Sequence, residues 1–167
     1  MGEDKPMPQE WGSACPRPSQ PKPPLSNTSL SSPTYRDGLD IAERLTKSDP
    51  GNAGWQRDLS VSFEKIGDMQ VAQGDLTAAL ASYRDSLAIF ERLAKSDPGN
   101  AGWQRDLSVC HMRIADVARK SGDATTARAE FAAAREISAR LAALSPDNAD
   151  WKADLAYIDE QLAGLGK

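Results

Sequence analysis

Cys110 and His111 are the side chains in this sequence with the most chemistry to offer, and they are neighbours. A thiol beside an imidazole is the pairing of a nucleophile with its base. That pairing needs both groups on one face, and adjacent residues of a helix point about 100° apart. His111 is the sole histidine and falls one repeat step after Phe63, so it reads as a substitute for an apolar packing residue. Cys15 is the only other cysteine, and the pair supports neither a disulfide framework nor a metal site. No phosphate-binding loop, GxSxG elbow, HExxH helix or dinucleotide fingerprint is present. The carboxylates are spread along helix faces, and Glu43–Lys47 and Glu91–Lys95, four apart, read as local ion pairs worth about 0.2–0.5 kcal/mol. The residues therefore predict no enzyme, no cofactor and no metal. A hydrolase or transferase is the lesser reading, and a copurifying small ligand would favour it.

What the sequence does carry is a period. Trp55, Trp103 and Trp151 are 48 residues apart, within DPGNAGWQRDLS, the same string again, and SPDNADWKADLA. A fixed period of tens of residues marks stacked units presenting a surface. The segments 43–61 and 91–109 differ only at Thr46 against Ala94. Packing does not demand identity at outward positions such as Gln56, Arg57, Lys47 and Lys95, so recent internal duplication is the simplest cause.

The chain has 167 residues and a net charge of −4, without the basic stripe a nucleic-acid partner wants. No apolar run approaches the ~20 residues of a membrane span, and no signal-peptide core is visible at the start. The expected setting is cytoplasmic, with no nucleic acid and no membrane as partners. Residues 1–30 hold seven prolines and few apolar side chains, and they read as a disordered tail. Pro21–Pro24 fits a loose PxxP pattern, though a plain tether is the simpler reading, and Trp11 is the one tail residue suited to folding back onto the repeats.

From residue 31 onward the pattern is helical. Apolar residues recur every three or four positions, as in Tyr35, Leu39, Ala42 and Leu45, or Trp55, Leu59, Phe63, Ile66 and Met69. Asp-Pro-Gly-Asn at 49–52 and 97–100, and Pro-Asp-Asn at 146–148, break the pattern. Asn52 is suited to cap the next helix. Gly74-Asp75 and Gly122-Asp123 make the shorter turns. Helices are predicted over 33–48, 53–73, 76–96, 101–121, 124–144 and 149–164. The third carries an additional row at Ala79, Ser86 and Ile89, as a helix with two buried flanks needs.

Ile66-Gly67-x6-Gly74-Asp75-x3-Ala79-x3-Tyr83 and Ile114-Ala115-x6-Gly122-Asp123-x3-Ala127-x3-Phe131 resemble the tetratricopeptide repeat (TPR) family. The family's period is 34 residues. The 48-residue step resembles the lengthened repeats of bacterial TPR proteins, each helix longer by about two turns. The resemblance, which covers residue 33 to the C-terminus, implies an all-α, right-handed TPR-like solenoid of three long antiparallel helix pairs. It also implies a concave groove lined by the first helix of each pair, and a non-enzymatic protein–protein interaction module or scaffold.

On the side away from the Trp55 row, Arg57, Val61, Glu64, Asp68 and Val71 form one stripe. Its repeats are Arg105, Val109, Met112, Asp116 and Arg119, then Ala153, Tyr157 and Glu160. The sequence predicts a mixed groove with acidic centres at Asp68 and Asp116, binding a protein or peptide segment with basic and apolar side chains. The plain alternative is a solvated helix face. Carboxylates at Glu64, Asp68 and Asp116 speak against an adaptor for acidic chaperone tails, which the family's Lys/Asn/Arg-bearing members clamp. Asp154, Asp159, Glu160 and Gln161 give the last helix a polar outer face, whereas the first helix has no such cap. That asymmetry motivates a second function, a structural protein self-assembling end to end as a homo-oligomer through its repeat ends.

Overall fold

A computed structural model describes residues 33–166, with side chains from Asp37. The proline-rich tail at 1–30, with its PxxP pattern and Trp11, lies outside the described residues, as does Lys167. Among the described residues the secondary structure is entirely helical: α1 (Pro33–Ser48), α2 (Ala53–Gln73), α3 (Leu76–Ser96), α4 (Ala101–Lys120), α5 (Ala124–Leu144) and α6 (Ala149–Leu165). Only the ends of α4 and α6 differ from expectation, by one residue each.

The boundaries follow from local chemistry. Asn52, Asn100 and Asn148 stand in extended conformation, and each side chain accepts a hydrogen bond from the backbone N–H of the tryptophan three residues on, at 3.1 Å. This satisfies a donor that the first turn of a helix leaves orphaned. Asp75 and Asp123 do the same for Ala78 and Thr126 at 3.0 Å. Gly74 and Gly122 take φ of 81° and 84°, the left-handed region where a side chain is strained. The period is thus written in two alternating breaks, a Pro-Gly-Asn or Pro-Asp-Asn loop and a Gly-Asp turn.

Consecutive helices are the principal packing partners along the chain. Both flanks of α3 are covered, by α2 and α4, and Ala79, Tyr83, Ser86, Ile89, Phe90 and Leu93 are all buried. In α2 the expected apolar row packs without being fully covered, Leu59 and Phe63 lying against the Ile89, Phe90 and Leu93 cluster. Trp55, Leu59, Phe63, Ile66 and Met69 are only half-buried, and the buried residues are Ser60 and Gly67. Small residues occupy the line of closest approach, and the large ones flank it.

At that line Ser60 donates to the Ser86 carbonyl at 3.0 Å, and Ser108 donates to the Ala134 carbonyl at 3.1 Å. The two hydroxyls are equivalent, and each reaches 26 residues ahead. Gly67 lies against the Tyr83 ring, where a Cβ would stand 2.5 Å from Cε1. The equivalent Ala115 and Phe131 share one buried cluster with Met112, Ala134 and Ile158. The Tyr83 ring of α3 thus stands closer to α2 at this point than an alanine at position 67 permits.

Gly67→Ala is expected to lower unfolding free energy by about 1–3 kcal/mol, the cost of forcing an extra methyl into packed space. Urea denaturation followed by circular dichroism measures it. An unchanged midpoint would mean that the Tyr83 ring moves aside freely.

Candidate functional site

The predicted stripe runs along α2, α4 and α6, and much of it is tied across those helices. Arg57 Nε bonds Asp106 at 3.0 Å, and Arg105 Nε bonds Asp154 at 2.8 Å. The separation is 49 residues in both cases, so the two ion pairs repeat one geometry. Exposed pairs of this kind add about 0–1 kcal/mol, and their larger effect here is to hold the arginines in register. Asp154, expected on a polar cap, is spent on this contact, and Asp159 on Arg135 of α5.

At the centre of the stripe, Asp68 accepts the Tyr83 phenol at 2.8 Å and the Arg113 guanidinium. Arg113 also lies 5.7 Å from the centroid of the Tyr83 ring. Such a cation over an aromatic face adds attraction. The Arg113 Nε–H is buried without an acceptor, so charge rather than a full set of hydrogen bonds holds the group. Asp116 accepts the Tyr157 phenol at 2.8 Å and an Arg119 N–H at 3.2 Å. The Tyr157 ring is edge-on to Phe131 at 6.4 Å. Burial, and secondarily Asp116, pushes the Tyr157 phenol up to about 12, so it stays protonated. Both carboxylates are thus brought to one hollow of about 210 Å³, between Asp68, Val71 and Tyr83 on one side and Arg113, Asp116 and Lys120 on the other. Each, however, already holds an internal cation and a phenol.

Other stripe residues lie in the core or at its margin. Met112 is buried, and Val109 packs beside it. Val71 packs on Ala79, Tyr83, Ile114 and Val117. Val61 is half-buried. Glu64 turns inward, where the Cys110 thiol donates to it at 3.1 Å. Desolvation raises the Glu64 carboxyl above its ordinary 4.5, more than the Cys110 hydrogen bond and Arg113 lower it. One repeat further on, Met112 and Ile158 occupy the positions of Glu64 and Cys110 and share an apolar cluster. One inter-repeat contact is polar and its copy is dry.

The sequence reading missed Arg113, Tyr83 and Asp106 as site residues. The Arg-Asp pair at 57–58 and 105–106 was a usable signal, because its arginine reaches the aspartate of the next copy. Arg113 replaces Lys65 of the preceding repeat, and only the structure reveals its two carboxylate neighbours.

Cys110 and His111 part company. Burial holds the Cys110 thiol far above its usual range, and its sulfur meets Glu64 and Ser86, the latter at 3.2 Å. His111 Nδ1 lies 2.7 Å from Glu130 on α5. The expectation of an apolar packing role for His111 is corrected: the ring is a half-buried polar link between α4 and α5, which Phe63 cannot be. Among the described residues no group of three His, Cys, Asp or Glu is placed to hold a metal ion. No described helix is long and apolar enough to cross a membrane. No protein-family model and no curated protein matches the sequence.

The raised Glu64 carboxyl gives a signed prediction. The folded state holds this proton more tightly than the unfolded chain, so the group's stabilising contribution is full below pH 4.5 and is lost as pH rises through its raised folded value. Glu64→Gln should remove that component. Subtracting the two stability–pH curves should give a difference falling with pH above 4.5, and a flat difference would contradict the assignment. Glu64→Met with Cys110→Ile, which copies the next repeat, should leave neutral-pH stability equal or higher, since replacing buried polar pairs by packed apolar ones is often neutral or stabilising. A denaturation midpoint well below wild type would show that the polar pair is needed.

Proposed function

We propose that the chain is a non-enzymatic protein–protein interaction module or scaffold. Its repeats form a right-handed TPR-like solenoid of three helix pairs, and the α2/α4/α6 stripe faces a peptide or protein segment. One observation carries this reading. The stripe is continuous across three helices through Arg57–Asp106, Asp68–Arg113, Arg105–Asp154 and Asp116–Tyr157, while Arg57, Arg119 and Tyr157 stay exposed. Side chains already fixed in place lose little freedom when a ligand docks, which favours binding.

The internal pairing refines the partner's chemistry. A basic side chain gains less at Asp68 and Asp116 than at bare carboxylates, because Arg113 and Arg119 already compensate them. Neutral hydrogen-bonding groups can use the remaining acceptor capacity of the carboxylates. Apolar side chains fit the edges at Val61 and Val71. The preferred segment is therefore apolar and hydrogen-bonding rather than strongly basic.

Selection of a random displayed peptide library against the full chain tests the proposal. Enriched peptides should share an apolar spacing and lose about tenfold or more in affinity, roughly 1.4 kcal/mol, toward Asp68→Asn with Asp116→Asn and toward Val61→Lys. Failure to enrich any peptide, or peptides indifferent to all three substitutions, would sink the groove. A small ligand copurifying with the chain would move the reading toward an enzyme.

A further inference from the structure

Among the described residues, nothing fully covers the apolar outer face of α1. Ile41 and Leu45 are 51% and 39% exposed, whereas their repeat equivalents Ile89 and Leu93 are 4% and 3% exposed and Ile137 and Leu141 are 6% and 3%. The side-chain types are the same at all three places, so the difference lies in what covers them. α1 is followed by α2 just as α3 is followed by α4. What α3 and α5 have in addition is a preceding helix that begins with the Asn-capped tryptophan turn. Among the described residues α1 has none.

The interior of the protein shows twice what that covering helix is. It is α2 for α3, through Ala53, Leu59 and Phe63 in one cluster with Ile89, Phe90 and Leu93. α4 packs on α5 in the same order along the chain, with Met112 and Ala115 in one cluster with Phe131 and Ala134. A third helix of this type, α6, opens with the same Asn148–Trp151 cap. Among the described residues no helix follows α6, and the face that would receive one is free: Ala156 and Ala163, the equivalents of Ser60 and Gly67, are exposed.

The two open faces match at their closest point. Inside the protein Ser60 meets Ser86, hydroxyl to hydroxyl at 2.8 Å. At the ends the corresponding residues are Ala156 and Gly38, and nothing stands within 4 Å of where a Gly38 Cβ would be. Both hydroxyls are absent together, so docking would strand no buried polar group, which is the condition under which replacing a hydrogen-bonded pair is nearly neutral. Asp159 stands where Phe63 stands in the first repeat, so one position of the α2–α3 apolar cluster is polar in α6; its carboxylate is held to Arg135 of its own chain, which gives it a cation partner when the face is covered.

We propose that α6 of one copy docks on the Ile41/Leu45 face of α1 of a second copy, repeating across molecules the packing of α2 on α3. The two surfaces are different patches of one chain, so the contact is heterologous and grows into open chains rather than closing as a dimer. A single helix pair with an alanine-rich partner face makes the association weak and concentration-dependent. The inference is independent of the groove, since neither Ile41/Leu45 nor Ala156/Ala163 lies on the stripe.

Molar mass of the full chain by light scattering over a hundredfold concentration range tests it. The wild-type mass should rise above 18.0 kDa and keep rising. Ile41→Glu with Leu45→Glu blocks one end, and Ala156→Glu with Ala163→Glu blocks the other; each variant alone should remain at monomer mass. Mixed together they should form a one-to-one dimer that grows no further, because each retains the end the other lacks. All four sites are exposed, and unchanged circular dichroism and melting verify the fold. A wild type that stays monomeric at the highest concentration overturns the proposal. So does growth that survives either variant, or a mixture of the two that stays monomeric.

Discussion

Two buried hydroxyls set the alignment on which the rest of this molecule depends. Ser60 and Ser108 are 0% and 1% exposed, and each donates to a backbone carbonyl of the following helix, Ser86 and Ala134. A buried hydroxyl without a partner costs about 1–3 kcal/mol, so sliding α2 along α3, or α4 along α5, meets a definite penalty. The reach of 26 residues is identical in both pairs. Because the pairs are assembled alike, the longer-range contacts can repeat as well, and Arg57–Asp106 and Arg105–Asp154 do so.

Identity between repeats carries a risk of mispairing, and the interfaces between copies counter it. The α2–α4 contact has Glu64 on Cys110 with Arg113 close by, whereas the α4–α6 contact has Met112 on Ile158. In a chain docked one repeat out of place, Glu64 would face the apolar environment of Ile158 without a donor. An unpaired carboxylate is far more costly to bury than a methionine. Near-identical loops thus coexist with interfaces that differ in polarity, and that difference distinguishes one register from another.

The helices were legible because their ends are written in residues with one local job. Asn52, Asn100 and Asn148 cap helices, Gly74 and Gly122 adopt positive φ, and these effects act within three or four residues. What periodicity could not show is which small residue lies at a closest approach. Ser60 and Gly67 carry no apolar signal, so the row of Trp55, Leu59 and Phe63 marks the apolar face of α2 without marking its closest point. The stripe residues fall along α2, α4 and α6, and Asp68 and Asp116 line one hollow. The cation on Asp68 is invisible to local reading because Arg113 lies 45 residues away, and so is the Tyr157 phenol, 41 residues from Asp116, whereas Arg119 lies only three residues from Asp116. Glu130, 19 residues from His111 and on the next helix, is equally beyond local reading.

Cys110 offers a consequence of a different kind. Its sulfur is sealed between Glu64 on α2 and Ser86 on α3, and its thiol keeps its proton at any ordinary pH. Only the thiolate is nucleophilic, so an alkylating reagent can modify this residue only when α4 has parted from both neighbours. Its labelling rate, resolved from that of Cys15, is therefore a built-in clock for the parting of the helices around α4.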